Sequence, residues 1–132
     1  MPIEVEMSLR LVMAAALAGV IGFQRERVGK PVGLRTHALI GLGAALFTMT
    51  GVFGFNGGDP ARIAAGLVTG IGFLGAGTIL HRSGGVIEGL TTAATIWLVA
   101  AIGLATGAGL YVIATVATAV SVGVLYLPHP KT

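Results

Sequence analysis

The residues able to do chemistry in this chain gather at two places. The first is Gln24-Arg25-Glu26-Arg27, followed by Lys30 and then Arg35-Thr36-His37. The second is Asp59-Pro60-Ala61-Arg62. The latter reads as a helix start, with Asp59 as N-cap and Pro60 at the first helical position. Arg62 in the first turn opposes the helix dipole, so a pairing with Asp59 is expected. Basic anchoring at a membrane face explains Arg25 and Arg27 but not Glu26, which is expected to pair with Arg35 or Arg82 as an interhelical clasp. His37 and His81 are single histidines without cysteine or clustered carboxylates nearby, so they read as interfacial and no metal site is expected. Gly70-Ile-Gly72-Phe-Leu-Gly75-Ala-Gly77 matches a dinucleotide-binding pattern literally. That pattern needs a preceding strand, and here it lies inside a long apolar run. A glycine face is the better reading: Gly66 and Gly70 form a GxxxG pair that Gly77 continues, letting this helix approach a neighbour of its own or a second chain. No nucleophile–base pair is recognisable, so neither an enzyme nor a cofactor is expected.

The elements that must position these residues are set by composition. Of 132 residues, 55% are hydrophobic and only 10% charged, and mean hydropathy is +0.93. A soluble domain carries roughly a quarter charged residues, so a membrane is the natural solvent. The 22 glycines sit within apolar runs, as close helix packing requires. Cysteine is absent, which excludes disulfides. The net charge of +3 comes from a cluster between two apolar runs, which points to membrane topology rather than to nucleic acid. The N-terminal MPIEVEMSLR carries two glutamates where a signal peptide would be basic, so the first run is expected to persist as a helix.

Five apolar runs are expected to span the bilayer, at about 7–23, 37–55, 63–80, 90–106 and 110–127. A single long bent helix is the alternative for the last two. Residues 1–127 then form one transmembrane domain and 128–132 a short cytoplasmic tail. Arg25, Arg27, Lys30, Arg35, Arg82 and Lys131 fall on one side, against Arg10 and Arg62 on the other, with Arg10 free to snorkel. The positive-inside rule places the N-terminus outside and the C-terminus in the cytoplasm.

Residues 11–51 align without gaps onto 67–107, with Gly33/Gly89, Leu34/Leu90, Thr36/Thr92, Ala38/Ala94 and Ile40/Ile96 among the identities. A duplicated two-helix unit would keep its orientation, making a parallel repeat. It predicts equivalent turns at 33–36 and 89–92, each with a threonine able to cap backbone N–H groups. Two such helix starts could do no more than cap and orient, or could edge an anion-friendly pocket with Arg25, Arg27, Lys30 and Arg35. The span centres hold no ionisable residue. Thr48, Thr69, Thr78 and Thr95 suffice there for interhelical hydrogen bonds but make a thin route for Mg²⁺.

Three segments in order, IGFQRERVGKPVGLRTHALIGLGAALF, DPARIAAGLVTGIGFLGAGTIL and GLTTAATIWLVAAIGLATGAGLY, resemble the membrane domain of the MgtC/SapB family of bacterial inner-membrane proteins. The resemblance runs from about Leu9 to Tyr126. It implies a five-helix inner-membrane domain and a role in adaptation to magnesium limitation, with survival inside macrophages in pathogens. Some relatives are described as restraining the ATP synthase rather than moving magnesium. The motif positions are Arg25, Glu26, Arg27, Gly33, Leu34, Arg35, Thr36 and His37, then Asp59, Arg62 and glycines 70–77, then Gly89, Thr91 and Thr92. Many members add an ACT-like C-terminal domain, which this sequence does not contain. The expected role is a non-enzymatic regulator in magnesium or acid stress, a homodimer in contact with the lipid bilayer and a membrane partner. The alternative is a small transporter with a path between the repeats.

Overall fold

Each apolar run folds as a helix, and punctuation by glycine and proline sets where each one stops. The computed structural model describes residues 2–82 and 85–128. They form α1 (Ile3–Arg27), α2 (Leu34–Phe53), α3 (Pro60–Ala76), a short hairpin of β1 (Leu80–Arg82) and β2 (Val86–Glu88), α4 (Leu90–Gly107) and α5 (Tyr111–Leu125). Helix α1 extends the expected run by about a turn at each end. Glu4 and Glu6 suit its N-terminal dipole, and Arg25 and Arg27 its last turn. The α4–α5 junction is two helices rather than one bent helix. Gly109 adopts φ +88, its N–H reaches Thr106 O at 3.0 Å, and that of Leu110 reaches Ala105 O at 2.9 Å. This paired closure of a helix end needs a left-handed residue, which glycine takes at least cost.

The third run ends at Ala76 rather than at residue 80. The chain then turns into the antiparallel hairpin, in register Leu80↔Glu88, which had been expected as an irregular connection. Its signal is Ser83-Gly84-Gly85 between short runs of strand-forming residues. Ser83, Gly84, the tail from 129 with Lys131, and the side chains of His81 and Arg82 lie outside the described residues. So does the expected Glu26–Arg82 pairing.

Packing centres on α2 and α4. Helix α1 lies against α2 and α4, α3 against α4 and α2, and α5 against α1 and α4. These are the pairings a parallel duplication requires, with α2 and α4 on the pseudo-axis and α5 outside it. The seam is made of backbone. A Cβ added to Gly103 would lie 2.2 Å from Gly41 O, and one on Gly41 would lie 2.4 Å from Ala18 Cβ. At Gly107 the obstacle is Ala45 O, 2.8 Å away. Ile21, Val99 and Ile102, with Ala18 and Ala114, fill the volume beside it. Helices α1, α2 and α4 are long and apolar enough to cross a membrane, and α3 and α5 are shorter apolar helices. The chain is therefore an all-helical membrane protein of five helices.

Of the two neighbours left open for the glycine face of α3, one in its own chain or a second chain, the described residues supply none at Gly66, Gly70 or Gly72, where a Cβ would meet no atom within 4 Å. Gly75 faces Ala93 O at 3.4 Å, and Gly77 faces its own helix end. Nor does Arg10 snorkel outward. Its side chain turns into the bundle, donates to Gly107 O at 2.8 Å and pairs with Glu6. It also lies over the rings of Phe53 and Tyr111, at 5.8 and 5.6 Å. A cation at the C-terminus of α4 meets the favourable end of that dipole, so Arg10 staples α1 to α4 and the start of α5.

Gly103→Leu is expected to destabilise the bundle by at least the ~1–3 kcal/mol of ordinary overpacking, since backbone rather than a side chain must move. Gly66→Leu should leave the fold unchanged. Thermal unfolding in detergent, followed by circular dichroism, separates the two.

Candidate functional site

One end of the bundle brings together the last turn of α1 and the first turns of α2 and α4. Helix α1 closes there through Gly29, whose N–H reaches Glu26 O at 3.1 Å, while that of Lys30 reaches Arg25 O at 3.1 Å. This closure turns the chain towards Gly33, which starts α2. Glu26 does act as a clasp, but to backbone. Its Oε1 accepts from Leu34 N–H at 3.2 Å, and among the described residues Arg35 lies beyond ion-pair distance of it. A Cβ at Gly33 would meet that oxygen at 2.6 Å, so glycine is what lets the carboxylate cap α2. The threonine caps expected from the repeat are absent: neither Gly33 nor Gly89 is replaced by a side-chain cap. Thr36 is exposed, and Thr92 serves Arg25 instead.

His37 is not interfacial. It is 0% exposed, lying on α2 between α1 and α4, against Gly22 on α1. Its Nδ1 lies 2.8 Å from Gly33 O, an acceptor only, so that nitrogen carries a proton. Its Nε2 lies 2.9 Å from Thr95 Oγ1, and that hydroxyl is also 2.9 Å from Thr92 O. A neutral ring therefore accepts the Thr95 proton, whereas a charged ring would donate and turn that proton towards Thr92 O. Thr95 is the interhelical threonine of the four named from sequence. Thr48, Thr69 and Thr78 bond back to carbonyls of their own segments.

Beside this triad Arg25 is buried, 3% exposed, and reaches Thr92 Oγ1 at a long 3.4 Å. Its Nε and the neighbouring Gln24 Oε1 are buried without a partner. Arg27 is exposed and lies over the ring of Phe23 at 5.7 Å. Lys30 is half-buried and Arg35 exposed. Thr91 is half-buried and lines an apolar groove of about 440 Å³ between α4 and α5, with Thr95 and Ser121. Of the predicted cluster, Arg25, His37 and Thr92 form one buried unit, while Arg27, Arg35 and Thr36 surround it. Thr95, named from sequence only as an interhelical threonine, also belongs to the unit. The spacing from Thr92 to Thr95, on one helix face, was the available signal.

At the opposite end Asp59 caps α3 as expected, accepting from Ala61 N–H at 3.0 Å. Arg62 does not pair with it among the described residues. It lines a groove of about 450 Å³ with Phe47, Gly66, Leu67 and Gly70. No three His, Cys, Asp or Glu side chains among the described residues come together as a metal site would need.

Thr95→Val should strand His37 Nε2 and cost about 1–3 kcal/mol, the penalty of a buried unpaired polar group. Thr95→Ser should recover most of the loss. Unfolding midpoints of the two variants in the same detergent provide the check.

The sequence model of the MgtC family matches residues 11–131. The YhiD protein of Escherichia coli K12, whose name proposes a magnesium transporter, is 52% identical over 106 residues, covering 74% of this chain and 49% of the relative. SrpB of Synechococcus elongatus is 42% identical over 110 residues, 74% of this chain and 60% of the relative. MgtC of Brucella abortus is 46% identical over 90 residues, 68% and 37% respectively. The chain spans about half the length, or less, of most of these relatives. No solved structure matches. The match covers both helix pairs and the basic end that joins them, and the chain belongs to the MgtC family.

Proposed function

We propose that the chain is a non-enzymatic membrane regulator of the bacterial inner membrane, acting in adaptation to magnesium limitation or acid stress through contacts with membrane partners. In this reading all five helices cross the bilayer, with the N-terminus outside and the basic end in the cytoplasm. At 1.5 Å per residue the shorter helices α3 and α5 reach about 22–26 Å, which modest local thinning of the bilayer accommodates. The observation that carries the reading is the α2–α4 seam. A transporter moving its solute between two repeats needs a polar passage there, and the seam is closed by the contact of Gly103 with the Gly41 carbonyl. The grooves described above are peripheral and apolar. The name of the Escherichia coli relative supports the alternative, a transporter for an ion or small solute.

Proteoliposomes holding the chain should show no flux of Mg²⁺, H⁺ or phosphate above empty vesicles. A specific flux abolished by Asp59→Asn would overturn the regulatory reading in favour of transport.

The chain acts as a homodimer in this reading, and the open face of α3 supports it. Gly66 and Gly70, one turn apart and without neighbours in the chain, suit close approach of a second helix. The native sequence has no cysteine, so single cysteines report contacts cleanly. Gly70→Cys is expected to give a disulfide-linked dimer in membranes on mild oxidation. Val112→Cys on α5, 74% exposed, should give none; equal cross-linking at both positions would count against an α3 interface.

A further inference from the structure

Among the described residues, Arg25 is the buried charge that the bundle leaves uncompensated. The residue is 3% exposed, with Nε buried and unpartnered and Nη2 on a neutral hydroxyl, that of Thr92. No described carboxylate lies within ion-pair distance of it. The adjacent Glu26 is committed to the Leu34 N–H. The groups around Arg25 are not anionic either. Thr92 belongs to the first turn of α4, the positive end of that helix dipole, and the cap residue Gly89 brings no side-chain acceptor. His37 offers no negative charge in either of its states. A desolvated cation with no countercharge is expensive, and the C-terminal end of α1, in whose last turn Arg25 sits, offsets only part of that while the start of α4 opposes it.

No described residue supplies the missing countercharge, and the donor set indicates what kind of anion would. A guanidinium fork beside a helix N-terminus supplies several convergent N–H groups, the arrangement that suits a tetrahedral oxyanion. Lys30, Arg27 and Arg35 at the same end raise the local concentration of anions. The groove between α4 and α5 opens at Leu90 and Thr91 and runs past Leu98 and Val120 to Leu125, offering an apolar channel next to the same helix start. We propose that Arg25 and the first turn of α4 bind a phosphate group, supplied by a phospholipid headgroup or as free phosphate. The lipid source rests on the membrane reading above, with the acyl chain in the α4–α5 groove; the free source does not.

The test uses the full chain in two arms. In detergent it is titrated with inorganic phosphate. In nanodiscs of phosphatidylcholine it is compared with and without phosphatidylglycerol, retained lipid being counted by native mass spectrometry. Wild-type protein should gain thermal stability in one arm, and Arg25→Met should weaken the apparent affinity at least tenfold. Arg27→Gln, at an exposed position, should stay within about twofold. Arg25→Lys keeps the charge without the fork and should lose part of the response, so it keeps the test decisive if Arg25→Met fails to fold. A response to phosphatidylglycerol alone identifies a lipid headgroup, and a response to inorganic phosphate alone identifies the free anion. No response of the wild type in either arm, or an equal response from both Arg25 variants, overturns the site. Failure of the chain to enter nanodiscs would instead refute the membrane reading, while the detergent arm still decides the site.

Discussion

The contact between the Gly103 position and the Gly41 carbonyl is the constraint on which the rest of the molecule depends. In an apolar solvent there is no hydrophobic force between helices, so close van der Waals packing and hydrogen bonds must hold them together. Bringing α2 and α4 to backbone contact supplies that packing at the centre. It also fixes the spacing of α1, since Gly41 touches Ala18 on the opposite side. The aliphatic cluster around Ile21, Val99 and Ile102 fills what remains. A side chain at either glycine would push two helices apart and carry a third with them.

The polar groups of the two ends follow from that spacing. At one end Arg10 crosses from α1 to the last carbonyls of α4 and to the turn that begins α5. At the other, α1, α2 and α4 lie close enough for His37 to bridge the Gly33 carbonyl and Thr95, and for Arg25 to touch Thr92. Each end thus has an arginine on α1 turned towards α4. The difference is in their partners: Arg10 has Glu6, and Arg25 has no described carboxylate. The first arginine is a staple, and the second leaves a charge for which the fold supplies no answer.

The MgtC-family motif gains a physical content from this arrangement. Gly33 lets Glu26 cap α2, His37 and Thr92 build the buried unit, and Gly89 starts α4 at the Thr78 carbonyl, 2.0 Å from where a Cβ would sit. Arg27, Arg35 and Thr36 are exposed, and of these the two arginines contribute surface charge. Asp59 explains itself as a cap. Arg62, unpaired with it, sits at the end of an open glycine face, where a second chain or lipid would meet it.

The membrane class, the number of helices, the Asp59 cap and the family were legible in the sequence, because they depend on local composition, spacing and short motifs. Pairings across the bundle were not legible, since they depend on how each helix is rotated about its axis, and glycine-rich helices with little amphipathicity carry weak rotational information. Thus the sequence singled out Gly66 and Gly70 for close packing without saying against what, whereas the seam inside the chain is at Gly41, Gly103 and Gly107. It offered arginine partners for Glu26, whereas the fold brought the Leu34 N–H closer. It also left Arg25 and Arg10 as two alike anchors. Burial separated them: Arg10 has Glu6 one turn away on its own helix, as spacing alone allows, whereas only the tertiary structure encloses Arg25 away from the described carboxylates.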